Sequence, residues 1–350
     1  MKTPPIVTIA VLSYPGVLTS SVHGLAELFN ASNRICGRFR EMELPKFQIR
    51  HFEIEETTGR VISATDQNDH HRPAPNRSKQ DGIPQDKSTQ NIQALIVLPS
   101  IEDNYYESPS QELIKWIQDL HKQGTIVCSV CAGAFILAAA GVVDGRTVTT
   151  HWGLAEKFRE RYPTIKLDAD QILIDEQDLI TAGGVMAWLD LGIHLVERFS
   201  RPTVAIELGK FLLIDTGRRE QKFYRNFQPP LDHGDQTILK AQHYIHRHYK
   251  ETISVKNLAI LSHRVERSFY RNFIKSTGYN PGEYLQNFRI QKARELIETK
   301  QLSFERIGWE VGYADSSAFR KMFQKITGLT PGQYRQRFTR QQNLKSHLQR

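Results

Sequence analysis

The sequence predicts two domains of different class: an α/β domain whose mostly parallel sheet is flanked by helices, followed by an all-α domain with two helix-turn-helix units. Three observations carry this. Strand-like and helix-like runs alternate from residue 6 to about 214; the final third repeats itself at an offset of 50 residues; and all the excess positive charge lies in that third. At 350 residues the chain exceeds what one core usually holds, roughly 200 to 250 residues. With 39% hydrophobic and 24% charged residues, each part has the composition of a packed globule.

In the first domain, β-branched apolar runs read as buried strands at 6–12 (IVTIAVL), 47–54 (FQIRHFEI), 93–100 (QALIVLPS) and 125–130 (TIVCSV). Amphipathic runs near 22–33 and 109–123 read as helices, and the alternation implies a parallel sheet covered on both faces. Shorter strands are expected near 147–150, 170–175 and 178–182, with helices near 152–161 and 185–213. Residues 66–90 are polar and rich in Pro, Gln and Asp, a composition that does not pack, so a surface excursion is expected there. Its His70 and His71 read as solvated loop residues sooner than as metal ligands. A second shift in composition at 215–236, with Pro229 and Pro230, reads as a linker. The domain plan is therefore α/β at 5–214, linker at 215–236, helical domain at 237–338 and a basic tail at 339–350.

Charge separates the two domains. From Asp235 to Arg350 there are 21 Lys and Arg against 9 Asp and Glu, a net +12, whereas the preceding residues carry 25 against 29, a net −4. Such asymmetry points to a phosphate-facing C-terminal domain, with a merely well-solvated basic surface as the alternative until motifs decide. Three cysteines (Cys36, Cys128, Cys131) are too few for a disulfide scaffold, and the N-terminus reads as no leader peptide, so a cytoplasmic location is expected. The longest apolar run, 132–143, falls short of the roughly 20 residues of a membrane span, so no membrane partner is expected.

The repeat in the last third is dense. Phe269, Phe273, Lys275, Thr277, Gly278, Pro281, Gly282, Tyr284, Gln286 and Phe288 recur as Phe319, Phe323, Lys325, Thr327, Gly328, Pro331, Gly332, Tyr334, Gln336 and Phe338. One supersecondary unit therefore occurs twice. In each, Phe side chains four apart share one helix face, and the helix ends at a Gly suited to a left-handed cap, followed by Pro. Upstream lie a short helix and a tight turn. FERIGWEV (304–311), Gly312, Tyr313 and an Asp315 N-cap serve the second unit; SVKNLAIL (254–261), capped by Ser254, serves the first. A longer helix at 285–299 joins them, anchored by Phe288, Ile290, Ala293, Leu296 and Ile297. This geometry lays the second helix of each unit in a DNA major groove, and two coupled units would meet successive grooves roughly 34 Å apart.

On the stretch IGWEVGYADSSAFRKMFQKITGLTPGQYR (307–335), residues 237–338 resemble the AraC/XylS family of transcriptional regulators. The resemblance implies double-stranded promoter DNA as partner and recognition helices at about 266–275 and 316–326. The candidate DNA contacts on their exposed faces, with the turn before the first, are Arg264, Glu266, Arg267, Tyr270, Arg271, Ser316, Ser317, Arg320, Lys321 and Lys325. Arg reads guanine bidentately and Ser bonds base or phosphate, whereas Lys more often positions the backbone; for each single Arg a phosphate contact or solvated surface stays open. The chain departs from the family in the first turn, where His263 and Arg264 replace a small and an apolar residue.

SVCAGAFILAAAG (129–141) follows a buried strand and opens a helix, with Ser129 and Gly133 two positions either side of Cys131, as a nucleophile elbow requires. Helix amides are expected to lower the Cys131 pKa and to favour an anionic group. With THW at 150–152, residues 6–214 resemble the flavodoxin-like, PfpI-type, class I glutamine-amidotransferase-like domain, in the branch fused to AraC-type modules. That branch implies a sensor: a small effector, an amino acid or amine, in a pocket at Cys131, Ala132, His151 and Trp152, with dimerisation through this domain and activation of transcription. Catalysis is not expected. Ala132 stands where the superfamily often has His, and the loop 18–24, with Ser20, Ser21 and His23, offers no acid. Cys131 as a buried structural thiol and His151 as an ordinary pocket-lining residue remain open. The Cys128-x-x-Cys131 spacing lacks a second pair, and Gly183–Gly184 lacks a G-x-G-x-x-G pattern, so neither metal nor cofactor is expected. Trp188, within 181–192, is expected to cap the same cleft.

Overall fold

The structure, a computed structural model, describes residues 4–39, 43–55, 57–64, 91–101, 104–214 and 220–339. The excursion at 66–90, with its two histidines, and the tail beyond 339 lie outside the described residues. The chain divides between Gln221 and Lys222 into two compact units.

In the first unit, strands β1 (Ile6–Ser13), β2 (Lys46–Ile54), β4 (Ile92–Val97), β5 (Ile126–Val130) and β9 (Leu179–Ala182) run parallel, with β3 (Val61–Ser63) and β8 (Leu173–Asp175) antiparallel at the edges. Their order is β3-β2-β1-β4-β5-β9-β8, and β6 (Thr147–Val148) pairs with β7 (Lys166–Leu167) separately. The chain turns one way from β1 to β2 and the other way from β4 onward, so the crevice at the carboxyl ends of β1 and β4 is the switch point where such sheets bind ligands. β1 and β4 are buried along almost their whole length because helices cover both faces. Those helices are α1 (Thr19–Cys36), α2 (Gln111–Lys122), α3 (Gly133–Ala139), α4 (Ala155–Arg161), α5 (Trp188–Phe199) and α6 (Pro202–Leu212). The single helix expected at 185–213 is two, because Pro202 lacks an amide hydrogen to carry the first helix through and instead opens the second at its first turn. The loop expected at 18–24 is the start of α1, with Ser21 buried and donating to the Leu18 carbonyl, and His23 exposed.

The second unit contains α7 (Gln236–His248), α8 (Val255–Leu261), α9 (Glu266–Thr277), α10 (Pro281–Thr299), α11 (Phe304–Glu310), α12 (Ser316–Thr327) and α13 (Pro331–Phe338). Caps explain its boundaries. Ser254, Ser303 and Asp315 accept from first-turn amides, Asn280 with Glu283 and Thr330 with Gln333 form capping boxes, and Gly278 and Gly328 take the left-handed conformation that ends α9 and α12. Two cores result. Phe269, Phe273, Tyr284, Leu258 and Ile238 fill one; Phe319, Phe323, Tyr334, Ile307, Ile290 and Phe223 fill the other. Phe269, Phe273, Phe319 and Phe323 are fully buried, as their four-residue spacing predicts.

Within 220–225, Gln221 and Phe223 are packed rather than free. Gln221 is buried in the first unit and Phe223 in the second. Two arginines of α10 are also buried. Arg289 donates to the carbonyls of Tyr249 (2.7 Å) and Glu251 (2.8 Å), and Arg294 donates to those of Arg225 and Lys222. They lie over the rings of Tyr313 and Tyr334 respectively, which compensates part of their desolvation.

Candidate functional site

The two helix-turn-helix units have second helices of equal length and unequal turns. Four residues (262–265) separate α8 from α9, whereas five (311–315) separate α11 from α12. Each turn places one residue in the left-handed region: Gly312 at φ +89° and His263 at φ +50°. Gly312 is required there, since a Cβ would stand 2.7 Å from the Lys250 carbonyl oxygen and 2.9 Å from Arg289 Nη2. The helix starts differ too. Asp315 accepts from the amides of Ser317 and Ala318, while Val265, at the matching point of the first unit, offers no side-chain cap.

Exposure divides the helix faces as the repeat predicts. Glu266, Arg267, Tyr270 and Arg271 on α9, and Ser317, Arg320, Lys321 and Lys325 on α12, are exposed, opposite the phenylalanines; Ser316 is half-buried. Arg267, Arg271 and Lys325 make no ion pair with any described residue. Arg320 lies 3.7 Å from Glu305, an exposed pair of little energetic weight. Arg264 is placed otherwise. Its guanidinium holds both carboxylate oxygens of Asp235, the N-cap of α7, at 3.0 and 3.1 Å, so it ties the turn to the first helix of the unit.

The second candidate region lies at the carboxyl ends of β4, β5 and β9. Cys131 has φ +54°, the strained turn expected of an elbow, and its amide donates to the Ala182 carbonyl (2.8 Å). Gly133 must be glycine, because a Cβ would stand 2.5 Å from the Val97 carbonyl oxygen. The thiol is not activated. Burial pushes the Cys131 pKa up to about 12, against a smaller lowering by the Ala132 amide. The expected lowering is thus overturned: α3 has only seven residues, and the cost of burying a thiolate exceeds what its first amides return.

His151 is half-buried, its Nδ1 accepts from the Gly153 amide (3.0 Å), and burial lowers its pKa. Among the described residues no hydrogen bond joins it to Cys131. Its ring lies 5.2 Å from that of Trp152. What links the two residues is main chain: Thr150 Oγ1 donates to the Cys131 carbonyl at 2.7 Å. Ala132 is fully buried, and Trp188, buried with Nε1 unpartnered among the described residues, packs its ring over Gly24 of α1.

Two neighbours of this region were not visible in the sequence. Tyr14, just past β1, donates from its hydroxyl to the Leu98 carbonyl (2.6 Å) across the switch point, and burial first and then Cys131 push its pKa up. Tyr106 is likewise raised, by burial foremost, and also feels Cys131. Only the strand order brings these residues beside the elbow, and no local pattern marks them. Gln221, hydrogen-bonded to the Thr150 carbonyl and the Trp152 amide, is a third such residue.

Residues 75–198 match the DJ-1/PfpI family and residues 258–337 match the helix-turn-helix domain. The chain thus carries a DJ-1/PfpI-type α/β domain ahead of a helix-turn-helix domain. That second domain is of the AraC type. Among its relatives is the HTH-type transcriptional regulator CdhR of Pseudomonas aeruginosa, 25% identical over 60% of this chain and 62% of that protein. The match therefore spans about three fifths of that relative's length. The isonitrile hydratase of Pseudomonas putida is 28% identical over 25% of this chain and 37% of its own. In shape, the DJ-1beta protein of Drosophila melanogaster aligns with 60% of this chain and 98% of its own at 13% identity and a TM-score of 0.42.

Proposed function

We propose that this chain is a sequence-specific DNA-binding transcriptional regulator, acting as an activator, whose α/β unit binds a small effector, dimerises, or both. The observation that carries the reading is the pair of helix-turn-helix units, each presenting an exposed face with cations at Arg267 and Arg271 or at Arg320, Lys321 and Lys325. A net +12 over the last 116 residues supplies the sequence-independent attraction to phosphate. Relatives that match about three fifths of this chain are named as transcriptional regulators, which supports the same reading. The effector pocket is assigned to the surroundings of Cys131, Ala132, His151 and Trp152, and its ligand to the amino acids, amines and related nitrogen compounds. The operating compartment is the cytoplasm, and among the described residues no helix is long and apolar enough to cross a membrane.

A gel-shift titration of the purified protein tests this, using its own upstream DNA at fixed salt, random competitor and Arg320→Ala alongside. Competitor-resistant binding is expected, with Arg320→Ala weakening it by about 5- to 150-fold, the loss of roughly 1–3 kcal/mol that one base contact carries. Binding no tighter than to random DNA would sink the reading. The second reading, a thiol-dependent amidase or hydratase bearing a DNA-binding module, draws support from the elbow at Cys131 and the isonitrile hydratase likeness. Against it stand a thiol held protonated and, among the described residues, no base hydrogen-bonded to it. Turnover abolished by Cys131→Ala would favour it.

A further inference from the structure

Gln221 is the last residue of the α/β unit, and its side chain is built into that unit. Only 3% exposed, its carboxamide donates from Nε2 to the carbonyls of Thr150 (2.8 Å) and Gln171 (2.9 Å) and to Thr149 Oγ1 (3.2 Å), and accepts at Oε1 from the Trp152 amide (3.1 Å). The Thr150 carbonyl and the Trp152 amide flank His151 in the chain. One side chain therefore clamps the backbone on both sides of His151. Thr150 in turn holds the Cys131 carbonyl through its hydroxyl. The niche is shaped for this carboxamide: a Cβ on Gly183 would stand 1.9 Å from Nε2. Main-chain bonds add to the seat, from the Gln221 amide to the Asp170 carbonyl (2.7 Å) and through the bridge between Glu220 and Gln171.

Two residues later the chain is anchored again, now in the helical unit. Phe223 is buried in the core of the second helix-turn-helix unit, and Arg294 of α10 donates to the carbonyls of Lys222 and Arg225. The Lys222 stem lies so close to Gly328, the cap of α12, that a Cβ there would meet its Cε at 2.3 Å. A flexible linker would absorb movement of either anchor. Here only Lys222 separates them, and each residue of chain spans at most about 3.6 Å. A displacement of the Gln221 seat therefore strains the Phe223 anchor or breaks one of the two.

We propose that Gln221 is the positioning residue through which the state of the Cys131–His151 region reaches the second helix-turn-helix unit: seated, it fixes the backbone around His151; unseated, it releases the lead-in to Phe223. The proposal rests on the regulator reading, since it gives the helical unit a DNA-bound state to be coupled to. Ligands that compete for the Thr150 carbonyl or the Trp152 amide, or that shift His151, bias the seat. By linkage, DNA bound at the other end biases it equally.

That reciprocity allows a test without the effector. The full chain is mixed with duplexes selected from a random pool, and hydrogen exchange of the Trp152 amide is followed by mass spectrometry with and without the tightest duplex. In the wild type, duplex is expected to change the Trp152 exchange rate by about fivefold or more, the lower end of ordinary coupling. In Gln221→Ala the amide is expected to exchange fast whether or not DNA is bound, with duplex affinity within about threefold of wild type. A four-residue Gly-Ser insertion between Gln221 and Lys222 keeps both anchors and adds slack. It is expected to keep Trp152 protected while removing the response to DNA. An unresponsive Trp152 in a wild type that binds duplex, or a response that survives the insertion, overturns the proposal alone. No enriched duplex at all overturns the regulator reading, and this proposal with it.

Discussion

The thiol of Cys131 lies under the Ala132 amide at the mouth of a short helix, yet water hardly reaches it. Burial opposes the thiolate, the amide favours it, and the first effect is larger, leaving a pKa of about 12. Only the thiolate is alkylated, so at any pH well below 12 the rate follows a small, rising fraction. Iodoacetamide labelling of Cys131, read by peptide mass, is therefore expected to climb about tenfold per pH unit from 7 to 10 without levelling; an ordinary thiol levels off above about pH 9. A plateau near pH 9 would show that burial does not govern the site. At this scale the sequence announced what depends on near neighbours. The elbow is readable from Ser129, Cys131 and Gly133, and the buried faces from phenylalanines four apart. Tyr14 and Gln221 were not readable, because their partners lie 84 residues away at Leu98 and 71 away at Thr150. Arg289 and Arg294 were hidden for a different reason, since charge on a helix reads as surface until a carbonyl and a ring are found beside it.

Among the elements, the two turns show how like sequences diverge. The offset of 50 residues that reveals the repeat holds from α9 and α12 onward. The N-caps of the preceding helices, Ser254 and Ser303, stand 49 apart, because the first turn is one residue shorter. Both turns need a left-handed residue two positions past the preceding helix, and at His263 that conformation costs a non-glycine residue about 1–2 kcal/mol. His263→Gly relieves this and returns part of the gain through a freer unfolded chain, so a net stabilisation of up to about 1 kcal/mol is expected in urea unfolding. Gly312→Ala in the second turn is expected to lose at least about 2 kcal/mol, since strain adds to collision with the Lys250 carbonyl. Equal effects at the two positions would contradict this account. The break between α5 and α6 belongs to the same scale: Pro202 was in plain view, but an apolar pattern running through 185–213 outweighed it.

Across the whole molecule, charge and repeat were enough to separate a basic helical unit from an acidic α/β one, and strand-helix alternation was enough for the sheet. How the junction packs was not legible. Residues 220–225 (EQKFYR) have the polar composition of a linker, and only the structure places Gln221 and Phe223 in two different cores. The charge separation has a measurable outcome. Each phosphate contact releases counterions, so log affinity should fall linearly with log salt, and Lys325→Ala should reduce the slope by about 1 if Lys325 meets a phosphate. An unchanged slope would place Lys325 off the nucleic acid.

The unequal turns carry one more consequence. Two units that follow one another in the same chain, the second with a capped helix start and a glycine turn, the first with neither, make a reading head with a distinct front and back. Such a head has no mirror in itself. A duplex engaged by both units is therefore held in one heading only, and inverting the bound segment relative to a neighbouring gene would present it with a different sentence, not the same one read backwards.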